Sequence, residues 1–460
     1  MTDLLVRGGT VYTPGGPREA DVQVTDGVIT DVGPGLASGR AKVVSAKGMY
    51  VLPGAIDVHV HSRDPGFPEK EDFATLTSAA AAGGVTCVID MPNTVPAVDS
   101  AGVLESKAAM ARRKARVDFG FWGLIRWSST EEQLEGLAAA GATGFKAYLG
   151  YSFRIDRKQV VPGLEAAGPG VEPPPDYGTL ARMAPAVARL GLPLVIHAED
   201  HAILTAFRRP FETYADVLES RPAMAEAVAV ASSAVIARES GAHLHVAHLS
   251  SAVGLKAAED AMRAGTSMSL ETCPQYLWLC DQDYVRLGNA MKVFPPIRTA
   301  KDRDALVAAA SRGVIGIIGT DHAPHTDEEK ARSLEEAPSG SPGVQTLYLS
   351  CLELARNLGD VWLAPRWVCE GPAALAGLGE SKGAIAPGFD ADLVIVDPKG
   401  QTVVRPAIMR SRQKHGALEG KEFGFAVMEV FLRGEVVGRA GARVGRAAGR
   451  MVRPARRAPR

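Results

Sequence analysis

The chain has 460 residues and a formal net charge of −1, with 46% hydrophobic and 22% charged residues. This composition is typical of a globular protein with a large core, and it excludes a chain that is disordered throughout. The near-neutral charge gives no electrostatic reason to expect nucleic acid or a membrane surface as a partner. A small, uncharged or weakly charged substrate fits better.

The five cysteines include no pair at the close spacing of a zinc knuckle or a redox motif. We therefore expect buried free thiols in a reducing compartment. The first residues, Met1–Leu4, lack the charged and then apolar segment of a signal peptide, and no stretch is apolar enough to span a bilayer. Together these features favour a cytoplasmic protein.

The chain begins with short β segments. In residues 1–53, alternating apolar runs flank Asp26-Gly27, a dipeptide that strongly indicates a hairpin. Similar runs return at 391–396 and 427–437, the second broken by Arg433-Gly434. Because neither end carries enough strands for a core of its own, we expect residues 1–53 and 386–445 to pair into one small β-sandwich domain.

Residues 54–385 repeat a strand followed by a helix. The predicted strands are Ala55–His61, Val85–Met91, Val117–Gly123, Gly144–Leu149, Leu194–His197, Leu244–Leu249, Thr266–Leu270 and Val314–Gly319. Helix-compatible, Ala-rich stretches lie between them at Phe73–Ala82, Glu131–Ala140, Tyr177–Leu190, Ala223–Ser240 and Ala300–Ala310. This alternation predicts an α/β fold, a (β/α)8 TIM barrel. The alternative is a doubly wound open sheet, but no Gly-rich phosphate turn follows any strand.

Two stretches fall outside this repeat. The Pro-rich insertion 162–176 cannot be helical and is too long for a routine connection, so we predict a surface excursion over the barrel mouth. The basic residues 446–460 carry repeated Arg among Gly, Ala and Pro, which favours a solvated and flexible tail.

Polar residues that suit metal binding recur near the carboxyl ends of the predicted strands, the face on which barrel enzymes place their active sites. They are His59, His61, Lys146, His197, His248 and Asp321. Four imidazoles and one carboxylate suit an ion such as zinc, yet they are too many for one catalytic zinc with its three protein ligands. Two cations need a bridge, and Lys146 could supply it if carbon dioxide converts its neutral amine into a carbamate.

With these residues, the chain resembles the cyclic amidohydrolase branch of the amidohydrolase superfamily. This branch includes dihydroorotases, hydantoinases, dihydropyrimidinases and allantoinases. The resemblance rests on motifs spread over essentially the whole chain: 57–61, 144–146, 197–199, 248–251, 271–277, 319–325 and 387–393. It implies a hydrolase that opens the C–N bond of a cyclic amide, working as a homo-oligomer, a dimer or a tetramer.

The resemblance also implies roles for single residues. His59, His61 and Asp321 would hold one divalent cation, expected to be zinc, and His197 and His248 would hold the other. Carboxylated Lys146 would bridge the two cations, and a hydroxide shared between them would be the nucleophile. Asp321 would carry the proton of that hydroxide to the leaving nitrogen.

The residues outside the predicted metal set match enzymes with different substrates. Arg63 and Asn93 match positions at which dihydroorotases hold a substrate carboxylate, and an arginine can grip a carboxylate with two hydrogen bonds. Tyr151 instead matches a tyrosine with which hydantoinases and dihydropyrimidinases stabilise the oxyanion, and the run 271–277 is also more like hydantoinase. We favour a dihydroorotate-like substrate narrowly over a hydantoin, a dihydropyrimidine or allantoin. The alternative that is not an enzyme is a non-catalytic, amidohydrolase-like scaffold protein.

Overall fold

The computed structural model describes residues 3–162, 168–440 and 448–455. In them, eight parallel strands alternate with helices in the manner that the sequence predicts. The barrel strands are Ala55–Val60, Val85–Asp90, a third strand in two parts (Asp118–Phe121 and Gly123–Ile125), Phe145–Tyr148, Leu194–His197, Leu244–Val246, Met268–Thr272 and Ile317–Ile318. The third strand joins two runs of paired strands, because its first part pairs with Val85–Asp90 and its second with Phe145–Tyr148.

The barrel closes between its last and first strands. Val60 forms a parallel bridge with His322, just beyond the eighth strand, and the His61 amide donates to the His322 carbonyl at 2.8 Å. Closure brings the carboxyl ends of the first and eighth strands side by side. The predicted TIM barrel is therefore confirmed.

Helices cover the outside of the barrel. The eight longest are Phe73–Ala82, Ala101–Ala111, Glu131–Ala140, Tyr177–Leu190, Ala223–Ser240, Ala252–Arg263, Ala300–Ser311 and Leu347–Asn357. Local signals set their ends: Thr130 and Gln133 form a capping box at the start of Glu131–Ala140, and Gly141 ends that helix at φ 104°, which a glycine adopts without strain.

Shorter helical turns lie mostly in the loops around the barrel. They are His201–Ala206, Tyr214–Ser220, Pro274–Trp278, Asp281–Asp283, Tyr284–Leu287, Gly288–Met291, Asp327–Lys330, Val344–Thr346, Leu363–Pro365, Arg366–Glu370, Gly371–Leu375 and Pro406–Ile408. No helix in the described ranges is both long enough and apolar enough to cross a membrane. All five cysteines are buried and unpaired.

Strands from both ends of the chain form one eight-stranded sheet. Its members are Leu4–Thr13, Gly16–Thr25, Val28–Gly33, Lys42–Ser45, Tyr50–Pro53, Leu393–Asp397, Ala426–Leu432 and Glu435–Arg439, and a small ribbon, Thr402–Val403 with Glu422–Phe423, lies apart. Leu393–Asp397 runs antiparallel to Tyr50–Pro53 and so ties the two ends together. Asp26-Gly27 turns the chain at φ 52° and 84°, as the hairpin signal predicts.

The Pro-rich insertion is part of a β ribbon made of Tyr151–Arg154, Gln159–Pro162 and Val171–Glu172. The ribbon starts at Tyr151, which lines the cavity described below. Arg126 fixes its far strand, because the guanidinium donates to Glu172 Oε1 at 2.9 Å and lies over the Phe153 ring. Residues 163–167 of the insertion lie outside the described residues.

The end of the chain corrects one prediction. Residues 448–455 are not a solvated tail, because Met451 forms a parallel bridge with Phe119 of the third barrel strand. The Val452 amide donates to the Phe119 carbonyl at 2.8 Å, and the Phe119 amide donates to the Arg450 carbonyl at 3.0 Å. Two adjacent apolar residues among the arginines, Met451 and Val452, let the segment pack along the third barrel strand. The rest of the predicted tail, 446–447 and 456–460, lies outside the described residues.

Candidate active site

A cavity of about 470 Å³ opens at the carboxyl ends of the barrel strands. Its lining includes eight of the nine residues that the sequence predicts for the site, namely His59, His61, Arg63, Asn93, Tyr151, His197, His248 and Asp321. The ninth, Lys146, is fully buried. Residues from the first strand to the eighth therefore meet at one place, as strand alternation requires.

The first and eighth strands supply a compact group of possible metal ligands. The ligand atoms of His59, His61 and Asp321 all lie within 4.8 Å of one another. The Nε2 atom of His61 lies 3.0 Å from Asp321 Oδ1, and that of His59 lies 3.4 Å from it. Burial alone would raise the pKa of Asp321, but the two imidazoles outweigh it and lower the pKa. Asp321 is thus held as a carboxylate.

The fifth and sixth strands supply a second pair. His197 Nδ1 lies 2.9 Å from His248 Nε2, and the two rings are 4.6 Å apart. The His248 ring is also 5.1 Å from that of His59, so the imidazoles form one continuous group. Burial lowers the pKa of both His197 and His248, which keeps them neutral with a lone pair free for a cation.

Lys146 lies within electrostatic reach of both groups. Its charge helps to lower the pKa of His197, His248 and Asp321. Its Nζ atom is buried and has no hydrogen-bond partner among the described residues. Burial lowers the pKa of the Lys146 amine to about 8. The Tyr148 ring, 5.3 Å from Nζ, is a weak partner for a charge, and a buried ammonium without a hydrogen bond is costly.

Buried carboxylates orient the histidines. Glu271 Oε1 lies 2.6 Å from His59 Nδ1, and Glu199 Oε2 lies 2.7 Å from His197 Nε2. Each contact directs the other ring nitrogen towards the cavity. Burial alone would raise the pKa of Glu199, but Arg221, which donates at 3.1 Å to Oε1, and His197 outweigh it and bring the pKa to about 2.

The orienting role of these groups is not predicted from the sequence. The predicted seventh strand ends at Leu270, whereas the observed strand continues to Thr272 and places Glu271 at the barrel's carboxyl end. Glu271 directly follows the predicted end of this strand, so its place beside the histidines depends on the exact strand boundary. Arg221 follows the short helix Tyr214–Ser220, and no local pattern links it to a strand end.

Three site residues have a backbone conformation that L-residues rarely adopt. The φ angles are 58° for Arg63, 39° for His248 and 50° for Asp321. Such strain persists only where the surrounding contacts hold it, and it concentrates at functional sites. Gly319 packs under the same group, since a Cβ on it would lie 3.0 Å from Glu271 Cδ and 3.1 Å from His59 Cβ.

The Arg63 guanidinium faces the cavity without a carboxylate partner. Its Nε donates to the Pro324 carbonyl at 3.2 Å, and Nη2 lies 3.0 Å from His325 Nε2. Within the described part of the chain it makes no ion pair within 4.0 Å. Asp64, its neighbour in sequence, is instead paired with Lys114 at 2.6 Å.

Contacts behind Arg63 fix its loop. The Ser62 amide and hydroxyl donate to Asp90 at 2.8 and 2.6 Å, and Asp90 in turn forms a buried ion pair with Lys107 at 2.6 Å. Asn93 accepts at Oδ1 from the ring of His61, whose Nδ1 lies 2.7 Å away. Asn93 therefore orients a predicted metal ligand and leaves its amide nitrogen for another partner.

Two tyrosines, Tyr148 and Tyr151, line the cavity wall. The Tyr151 ring lies 4.6 Å from that of His197, and the Tyr148 ring lies 5.6 Å from that of Tyr151. Burial raises the pKa of both phenols above the ordinary value, so both remain protonated donors at neutral pH.

A second cluster of carboxylates does not fit a metal ion. Asp118, Asp390 and Asp392 lie close together, but Lys382 Nζ is 2.7, 2.8 and 2.7 Å from them. Arg433 also donates to Asp118. These cations already neutralise the cluster, which links the barrel to the β domain.

Comparison with known proteins gives consistent matches. The sequence profile described as "Amidohydrolase family" matches residues 50–437. An allantoinase of Rubrobacter xylanophilus is 37% identical over 99% of this chain and 98% of its own, and a dihydroorotase of Pelotomaculum thermopropionicum is 33% identical over 91% and 94%. The structure of an L-hydantoinase (dihydropyrimidinase) from Arthrobacter aurescens superposes with a TM-score of 0.89 at 28% identity, covering 98% of this chain and 99% of that one.

Proposed function

Because the chain belongs to the amidohydrolase family, we propose that it uses two divalent cations to hydrolyse a cyclic amide whose ring carries a carboxylate, as dihydroorotate does. The predicted resemblance to cyclic amidohydrolases is confirmed by relatives named allantoinase and dihydroorotase and by structural neighbours named hydantoinase. The chain is a hydrolase that acts on cyclic amides. We propose, in addition, that two metal ions take part, that single residues have the roles given below, and that the ring carries a carboxylate.

The donor set fits two cations. His59, His61 and Asp321 would hold one, and Nδ1 of His197 with Nε2 of His248 would hold the other. The amine of Lys146 is buried without a hydrogen-bond partner within the described ranges, which supports its conversion to a carbamate. The carbamate would be a ligand of both cations, whereas an ammonium cannot bind a cation. Nitrogen and oxygen donors of this kind suit zinc. Two bound cations would supply a nucleophilic hydroxide and would polarise the scissile carbonyl.

The chain's own residues would manage protons and charge around the ring. Asp321 is ionised and faces the cavity, so it can take a proton and return it to the leaving ring nitrogen. Tyr151 remains protonated against His197, where its hydroxyl can donate to the oxygen on which negative charge develops.

The choice of ring rests on one observation, the guanidinium of Arg63 that lines the cavity without a carboxylate partner among the residues described. Its guanidinium reaches the cavity, its backbone is held in an unusual conformation, and the neighbouring acid that could have neutralised it is paired with Lys114. A cation in this state favours an anionic ligand, and a guanidinium can bind a carboxylate with two hydrogen bonds.

Allantoin is the second candidate, favoured by the 37% identity to an allantoinase over 99% of the chain. Its ring is a hydantoin with an uncharged ureido group. The two candidates differ in charge at the position that Arg63 would contact, and this difference makes them separable by experiment.

The deciding experiment is a panel assay of zinc-loaded protein with dihydroorotate, allantoin, hydantoin and dihydrouracil. We expect dihydroorotate to have the highest kcat/KM. Arg63→Ala should lower that value by about 10- to 100-fold, the equivalent of a lost charge-assisted hydrogen bond, and should change turnover of hydantoin much less. Equal losses on all rings would remove Arg63 from carboxylate binding. Metal analysis without bound divalent cations and no turnover of any ring would support the scaffold alternative.

A further inference from the structure

Tyr148 is a buried polar group of the cavity wall that the proposed reaction does not use. It ends the fourth barrel strand, two residues after Lys146, so both side chains lie on the same side of that strand. The side chain is 4% exposed and lines the cavity. Its hydroxyl is buried and, among the described residues, has no hydrogen-bond partner.

A buried phenol hydroxyl without a partner costs free energy, because it gives up hydrogen bonds to water and gains none from the protein. A tyrosine carries an O–H group, so it can donate to an acceptor on a ligand. A phenylalanine would fill the same space without this cost. The position therefore suits a donor whose acceptor arrives with the ligand.

The neighbours of Tyr148 indicate which part of the ligand it meets. Tyr151 is nearer to the metal-binding histidines, with its ring 4.6 Å from that of His197, compared with 6.4 Å for Tyr148. Arg63 and Tyr148 line the same cavity. Tyr148 is therefore placed to meet a part of the ligand that lies farther from His197 than the reacting carbonyl beside Tyr151.

We propose that the Tyr148 hydroxyl donates a hydrogen bond to an sp² oxygen on the ring substituent and so selects substituted rings over bare ones. The oxygen belongs to the carboxylate of dihydroorotate or to the ureido carbonyl of allantoin. The inference rests on the proposed hydrolysis of a cyclic amide. It adds a specificity residue that acts beside Arg63 and is separate from the oxyanion donor Tyr151.

The test is Tyr148→Phe, which removes one oxygen atom and retains the ring. We expect kcat/KM for the preferred substituted ring to fall about tenfold or more, the size of one lost hydrogen bond to a ligand. Values for hydantoin and dihydrouracil should change by less than about twofold. The substituted ring that is affected identifies the source of the oxygen. Because the variant removes an unsatisfied group, its thermal unfolding midpoint should stay equal or rise.

Tyr151→Phe is the matched control, and it should lower kcat on all four rings alike. Equal losses for Tyr148→Phe on every ring, no loss on any ring, or a lowered unfolding midpoint would each overturn the specificity role. If the wild-type protein turns over none of the rings, the proposed function fails, and calorimetric titration of zinc-loaded protein then tests Tyr148 separately. Weaker binding of dihydroorotate or allantoin by the variant supports the inference, and equal binding overturns it.

Discussion

Replacement of Glu271 by glutamine should weaken one metal position selectively. Glu271 is buried, its Oε1 lies 2.6 Å from His59 Nδ1, and the His248 amide donates to the same oxygen at 3.1 Å. Its Oε2 lies 3.3 Å from His245 Nε2. Burial alone would raise the pKa of Glu271, but His59 and His245 outweigh it and hold the pKa below the ordinary value.

Glutamine keeps the shape of the side chain and removes its charge. Bonds to a charged group are about twice as strong as neutral ones, so the loss is about 1 to 2 kcal/mol. That corresponds to roughly 5- to 30-fold in the affinity of the cation that His59 would hold, within the range for partners of metal-binding histidines. Titration of metal-free protein with Zn²⁺ against a chromophoric chelator measures both positions.

Glu199→Gln is the matched control, since Glu199 contacts His197, which is proposed to bind the other cation. It should weaken the other cation and also lower the unfolding midpoint, because it leaves the buried Arg221 without its counter-charge. If Glu271→Gln binds both cations as tightly as the wild type, or if both variants weaken the same cation, the orienting role of Glu271 is refuted.

Three further predictions concern other parts of the site. Carboxylation of Lys146 needs the neutral amine, so with a pKa of about 8 its rate at fixed CO2 should rise about fivefold from pH 7 to 8 and only about twofold from pH 8 to 9; an ordinary lysine would show a nearly tenfold rise in both intervals. Gly319→Ala places a Cβ 3.0 Å from Glu271 Cδ and should lower zinc affinity while far-UV circular dichroism stays unchanged. Lys107→Met leaves Asp90 buried without its partner and should lower stability by about 3 to 5 kcal/mol in chemical denaturation; adding Asp90→Asn should recover part of this loss, and no recovery would contradict the ion-pair argument.

Most of the fold could be predicted from the sequence because its signals are local. Helices such as Glu131–Ala140 and Tyr177–Leu190 have the predicted bounds, since capping residues and glycines mark their ends. The positions of His59 and His197 near the cavity follow from strand alternation and barrel topology. The ligand roles of these residues remain predictions.

Other features depend on distances between residues far apart in the sequence. The unpaired state of Arg63 could not be predicted, because it depends on Asp64 turning towards Lys114. The packing of Met451 on Phe119 was missed because the arginines around it dominate the composition of the tail. The unsatisfied hydroxyl of Tyr148 becomes apparent only when every neighbour in the barrel is placed.

The pairing of the two chain ends has a consequence for synthesis on the ribosome. The strand Tyr50–Pro53 is made early, but its antiparallel neighbour Leu393–Asp397 emerges only after the whole barrel. Phe119 likewise forms its bridge with Met451 only after residue 451 has been synthesised. Contacts of such long sequence separation form slowly and leave strand edges open to other chains. The nascent protein should therefore depend on chaperones that cover these edges until translation is complete.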